Sequence, residues 1–173
     1  LKDVARFISL RAQIGAGRQV FFVGLGGFDT HSAQRFDQWS LLQQVSQALS
    51  AFYSATVELG VANQVTAFTL SDFGRSLQAS GTGSDHGWGN HHLVLGGAVN
   101  GGRIHGKFPL MNANDSAYDP NAYADARYVL LPTTSLAQYG ATLAKWFGAT
   151  DAQQNAIFPE LQNFTTRDVG FML

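Results

Sequence analysis

The sequence predicts an α/β domain with a mostly parallel sheet and one antiparallel strand, and three observations carry that class. The apolar run at residues 19–25, continuous rather than alternating, reads as a strand buried on both faces. A long amphipathic segment separates it from a second apolar stretch at 65–73, and a strand–helix–strand unit of that length closes as a right-handed crossover with parallel strands. A glycine-rich stretch at 74–91, without helical periodicity, then feeds a short third strand at 92–95. A connection without a crossover helix suits an antiparallel return.

Taken in order, residues 1–14 read as a helix stopped by Gly15-Ala16-Gly17. Residues 26–31 form a tight exit loop after the first strand. From 32 to 59 a helix places Leu41, Leu42, Val45, Ala48, Leu49, Phe52, Thr56 and Leu59 on one face, with Gly60 at its C-cap. Phe36 and Trp39 lie off that stripe and are expected to cover something other than the sheet. Residues 96–106 read as a turn and a short strand, and 107–128 as a polar loop. Ser135-Leu136-Ala137-Gln138 is a capping-box signature; it opens a helix with Leu136, Tyr139, Leu143 and Phe147 on one stripe, ending at Gly148. The tail through residue 173 reads as irregular packing.

Composition narrows the function classes. With 173 residues, 45% of them hydrophobic and 13% charged, the chain reads as one globular domain. A fold of this size buries roughly 70% of the surface its unfolded form exposes, enough for a single core. The net charge of -1, from 11 Lys+Arg against 12 Asp+Glu without a basic run, leaves no footprint for nucleic acid or an anionic membrane. Zero cysteines exclude disulfides, zinc–thiolate sites and cysteine nucleophiles. No apolar run approaches a membrane span, and the start has no signal-peptide pattern. Leu1 is not a methionine, and Leu1, Val4, Phe7 and Ile8 share a helical stripe, so the numbering is expected to begin inside a helix of a longer or processed chain.

Ligands of open α/β sheets collect at the carboxyl ends of the strands. Asp29 and His31 follow the first strand, Asp72 ends the second, and an antiparallel return keeps Asp85 and His86 at the same edge. His91 and His92 are adjacent and diverge in a strand, so at most one of them faces the site. Carboxylates and imidazoles without a thiolate suit zinc, iron or manganese. Each residue also has a purely structural reading. Asp29 or Thr30 would cap the long helix, Asp72 would pair with Arg75, and Asp85 would form a turn. Arg75 suits bidentate binding of an anionic oxygen or an ordinary ion pair. Gly24-x-Gly26-x-x-Asp29 fails the dinucleotide fingerprint, and consecutive Ser84-Asp85-His86 cannot face one another as a nucleophilic triad. Trp39 and Trp88 also admit a carbohydrate-binding reading, although aromatic residues serve mostly as core material.

Four motifs then stand in order: Gly26-Gly27-Phe28-Asp29-Thr30-His31, Leu70-Ser71-Asp72-Phe73-Gly74-Arg75, Ser84-Asp85-His86-Gly87-Trp88-Gly89 and Leu95-Gly96-Gly97-Ala98-Val99. Together with Pro132-Thr133-Thr134-Ser135 and Trp146-Phe147-Gly148, they resemble the bacterial family called domain of unknown function 1501 over nearly the whole chain. More distantly that family resembles the alkaline phosphatase and sulfatase superfamily. The resemblance implies a three-layer alkaline phosphatase-like sheet, mostly parallel with an antiparallel strand and helices on both faces. It treats residues 1–173 as one domain whose N-terminal half lies upstream, and it implies an exported or periplasmic protein, often with a twin-arginine signal.

The resemblance also implies roles. Asp29 and His31 look like one metal's Asp-x-x-x-His ligands, although the spacing here is Asp-x-His, and His86 looks like the late histidine that completes the site. Asp72 resembles the aspartate of a strand-end Asp-His pair, with Phe73 where the histidine would stand, so a second metal is in doubt. The nucleophile would lie upstream. The implied activity is metal-dependent hydrolysis of a small anionic phosphate or sulfate ester, with zinc first and iron, manganese or calcium as alternatives. In that reading Asp72 helps hold a metal or orients the nucleophile, and Arg75 binds the substrate oxyanion. The alternative is a non-catalytic, degenerate domain that binds metal or serves as an envelope scaffold, with Phe36 and Trp39 facing a partner or the upstream segment.

Overall fold

The computed structural model describes residues 1–109 and 128–173. Helices α1 (Lys2–Ser9), α2 (Arg11–Ile14) and α3 (Gln34–Glu58) come first. A 3-10 turn (Ala62–Gln64) leads to strands β1 (Thr66–Phe68), β2 (Gly74–Ser80), β3 (Gly83–Gly87) and β4 (Val94–Gly96). Helices α4 (Leu136–Phe147) and α5 (Asp151–Ile157) and a second 3-10 turn (Pro159–Asn163) complete the order.

These strands form two separate two-stranded antiparallel sheets, β1 with β4 and β2 with β3. The mostly parallel three-layer sheet expected from the sequence is therefore corrected: among the described residues every strand pair is antiparallel. Residues 19–25 form no strand and pair with none among the described residues, and Phe22 is 93% exposed. Apolarity marks a segment that gains from burial, but pairing needs a free edge beside it and cover on both faces. β1 is only three residues long and its recorded partner is β4. One expectation does hold within this: the strand after the glycine-rich stretch returns antiparallel to the one before it, Ala67 opposite Leu95.

The glycine-rich stretch, expected as a loop, is the β2–β3 hairpin. Ser80 pairs with Gly83 across the two-residue turn Gly81-Thr82, with Gly81 at φ +62°, the positive-φ turn chemistry hairpins use. Ser76-Leu77-Gln78-Ala79-Ser80 alternates polar and apolar residues, a short strand signal that the loop expectation leaves out, and the register slips between Arg75 and Ala79. This hairpin forms one wall of the site.

Helix α3 buries Phe52 and Thr56 and half-buries Leu41, Val45 and Leu49, the expected stripe, while Leu42 of that stripe is exposed. Phe52 packs with Ile8 of α1 and with Val61, and Val65 and Ala67 lie against that cluster, so α1, α3 and β1 share one small core. No side chain caps α3, neither Asp29 nor Thr30. The backbone N–H groups of Ala33 and Gln34 donate instead to the Thr82 hydroxyl and carbonyl, each at 3.0 Å. The first helix breaks at Leu10, ending α1.

A second core joins Ala137, Ala141 and Leu161 around Phe158. The Ser135/Gln138 capping box and the Gly148 C-cap, at φ +99°, bound α4 as expected. The tail is more regular than expected, because Thr150 and Gln153 form a second capping box that opens α5. Most of the polar loop expected over 107–128 lies outside the described residues. No helix among the described residues is long and apolar enough to cross a membrane.

Candidate metal centre

The backbone of residues 29–34 and the β2–β3 hairpin dock on each other. Ser84 N–H donates to the Thr30 carbonyl at 3.4 Å, and Thr82 closes the contact at the start of α3. Gly83 makes the approach close enough: a Cβ there would overlap the backbone carbonyls of Thr30 and His31. Gln38 holds the buried Thr30 from within α3, its amide donating to the Thr30 hydroxyl at 3.0 Å.

This docking brings Asp29, His31 and His86 together across more than 50 residues of sequence. Asp29 Oδ1 lies 2.9 Å from His31 Nε2 and 2.9 Å from His86 Nε2, and the two Nε2 atoms are 3.2 Å apart. Each side chain is about half exposed, at 53%, 52% and 52% for His31, Asp29 and His86. Second contacts aim the rings. The Phe73 ring stacks on the His86 imidazole at 4.0 Å between centroids and 15° between planes. Asp85 Oδ1 stands 3.8 Å from His31 Nδ1, on the side of the ring away from the triad.

Arg75 anchors the arrangement and is mostly covered, with 12% of its side chain exposed. Nη1 donates to Asp29 Oδ1 at 2.6 Å, Nη2 to the carbonyls of Thr30 and Ser84, and Nε to the Ser84 hydroxyl at 3.3 Å. Ser84 in turn donates to the Gln34 side chain at 2.7 Å. The guanidinium holds the Asp29 carboxyl below its ordinary value, with help from the two imidazoles and against a smaller opposing effect of burial. As an oxyanion binder, the role suggested by the motif resemblance, Arg75 would have to release one of these partners.

The other sequence-derived candidates stand apart. Asp72 is exposed in the bend between β1 and β2 and is not in the converging group. His91 and His92 do diverge: His91 stacks on Phe108 at 4.8 Å and His92 on Tyr139 at 5.5 Å. His92 Nδ1 is 3.4 Å from the Thr69 hydroxyl, in an aromatic pocket where burial and then the charge of His91 depress its pKa. Burial pushes the neighbouring Tyr139 phenol well above its usual range. Phe73, Ser84, Gln34 and Thr82 carried no ligand-type chemistry in the sequence; only the turn residues Gly81-Thr82 offered a signal, for a hairpin.

The depressed His92 pKa gives a testable pH dependence. Its neutral form is favoured in the folded chain, so its contribution to stability is fully present above the ordinary value of 6.5 and is lost as pH falls toward the depressed folded value. The melting temperature of the wild type should therefore drop between pH 7.5 and 5.5, and that of His92→Phe should drop less.

The donor set fits a metal. A tetrahedral zinc with bonds of about 2.0–2.1 Å spaces its ligands about 3.3 Å apart, close to the distances within the triad. Two imidazoles and one carboxylate, with an open side toward solvent, match sites with three protein ligands and a free position. Fold and site together define a small α+β domain that presents such a donor set where the segment before a long helix docks on a hairpin. Residues 2–159 match the family described as a protein of unknown function, DUF1501, and the chain belongs to that family. No curated protein and no solved structure matches it.

Proposed function

We propose that the chain carries a single divalent-metal centre, zinc first among candidates, and that the centre serves hydrolysis of phosphate or sulfate esters. One observation carries this reading: three donor atoms of Asp29, His31 and His86 converge within 4.8 Å of one another from two separate elements. The reaction class comes from the motif resemblance to the alkaline phosphatase and sulfatase superfamily, as does an exported, periplasmic location. When bound, the metal supplies Lewis acidity toward a phosphoryl or sulfuryl oxygen and acidifies water.

The residues of the chain do the rest. Asp29 contributes the negative charge that offsets a cation, and Arg75 holds it through Oδ1, the same oxygen that faces both imidazoles. Phe73 and Asp85 restrain the two imidazoles, the outer contacts that set ring orientation in metal sites. A second reading, a metal-binding domain without catalysis, is favoured by one observation: the Arg75 donors are already committed to protein oxygens.

Elemental analysis of the purified chain, dialysed without chelator, tests the centre against the Asp29→Ala, His86→Ala double variant. About one zinc per chain in the wild type and none in the variant is expected. Equal metal content in the two would overturn the proposal. With zinc bound, turnover of phosphate or sulfate monoesters that zinc removal abolishes separates the catalytic reading from the second one.

A further inference from the structure

Beside the triad a groove opens along the start of α3, lined by Ala33, Arg35, Phe36, Trp39 and Thr82, with a volume of about 540 Å³. That is within the roughly 300–1,000 Å³ of small-molecule sites. Phe36 and Trp39 are 72% and 63% exposed, three residues apart on the side of α3 away from its buried stripe. Two neighbouring aromatic rings left in water present stacking surface that the core does not use. Arg35 adds a positive charge at the same place, and among the described residues it has no ion-pair partner.

The groove and the triad share a wall. Ala33 is two residues beyond His31, and its N–H donates to the hydroxyl of Thr82, whose neighbour Gly83 packs on the His31 backbone. A molecule with its anionic group at the triad and its organic part along this wall, past Thr82, would reach Phe36 and Trp39.

We propose that this groove is the specificity pocket of the metal centre and takes a flat aromatic ring carried by the anionic ester, with Arg35 countering its charge. The inference rests on the reading of Asp29, His31 and His86 as that centre. Ring stacking on Trp39 and Phe36 removes apolar surface from water on both partners, and Arg35 at the rim favours an anion over a neutral aromatic molecule.

Phenylphosphonate and methylphosphonate test it, because they share an anionic head and differ in the ring. Their affinities are measured by titration calorimetry on the zinc-supplemented chain, with zinc per chain determined on the same samples. Phenylphosphonate is expected to bind at least tenfold tighter than methylphosphonate, and Trp39→Ala is expected to erase that gap while zinc content stays unchanged. Equal affinities for the two probes with zinc bound would overturn the pocket and leave the metal centre standing. A chain that takes up no zinc would overturn both, and the elemental analysis distinguishes the two failures. A ring preference that survives in the Phe36→Ala, Trp39→Ala double variant overturns the placement. Self-association of the wild type that Trp39→Ala abolishes also overturns it, by assigning the face to a second copy of the chain.

Discussion

Gly83→Ala is expected to cost the chain its candidate metal centre together with part of its stability. The added methyl would sit against the carbonyls of Thr30 and His31, backbone atoms with no flexible end to swing aside. Either the hairpin or the 29–34 segment must retreat, breaking the Ser84-to-Thr30 contact and moving His86 away from Asp29. Overpacking of this kind costs about 1–3 kcal/mol, which for a domain of this length lowers the melting temperature by several degrees. Zinc affinity should fall at least about tenfold, since all three donors depend on this docking. Thermal melts and zinc titration of the purified variant read both effects. An unchanged midpoint with unchanged zinc binding would contradict the packing of Gly83 on His31.

Arg75→Met is expected to loosen the same junction from its covered side. The substitution keeps the length of the stem but removes the Arg75 donor from the Ser84 carbonyl and leaves the Thr30 carbonyl with only the longer contact from Ser84 N–H, in residues each 4% exposed. An unsatisfied buried acceptor costs about 1–3 kcal/mol. The acid limb of the stability profile should change as well. Asp29 has its pKa lowered chiefly by Arg75, so its contribution is present above the ordinary 3.8 and lost as pH falls through the lowered value. Without the guanidinium that acid-dependent loss should shrink. Melting curves from pH 7 to pH 3 check both points. Arg75→Lys should recover only part of the loss, because a single ammonium cannot serve Asp29, Thr30 and Ser84 from three directions. A variant that melts like the wild type at pH 7 would remove Arg75 from its anchoring role.

The two variants act at one junction, and it is the junction that the sequence left least legible. The helices could be read because their signals are local. Ser135 and Gln138 lie one turn apart and satisfy each other's backbone, and the α3 stripe repeats at helical spacing. The second capping box, at Thr150 and Gln153, carries the same local signal and opens a helix where the sequence reading expects an irregular tail. The strands could not be read in this way. The apolar segment at 19–25 reads as the centre of a sheet and pairs with no strand among the described residues, while the hairpin of mostly small and polar residues at 74–87 does pair. Backbone hydrogen bonds in a sheet are nearly blind to side-chain identity, so partner choice depends on which edges and faces the rest of the chain leaves free.

The same division runs through the site. By itself the sequence determined the chemistry: no thiol, a few carboxylates and histidines clustered near glycine-rich turns, and motif order that singled out Asp29, His31 and His86. His91 and His92 stack on different rings, although both lie outside the strand on which the expected divergence rested. Only the tertiary structure decided that Asp29, His31 and His86 meet while Asp72 and His92 stay outside, that Arg75 is spent on holding Asp29, and that Phe73 stacks on His86. The physical reason is range. Residue type and local spacing set what a side chain can do, whereas convergence across more than 50 residues requires two backbones to approach at Gly83, and no local pattern encodes that approach.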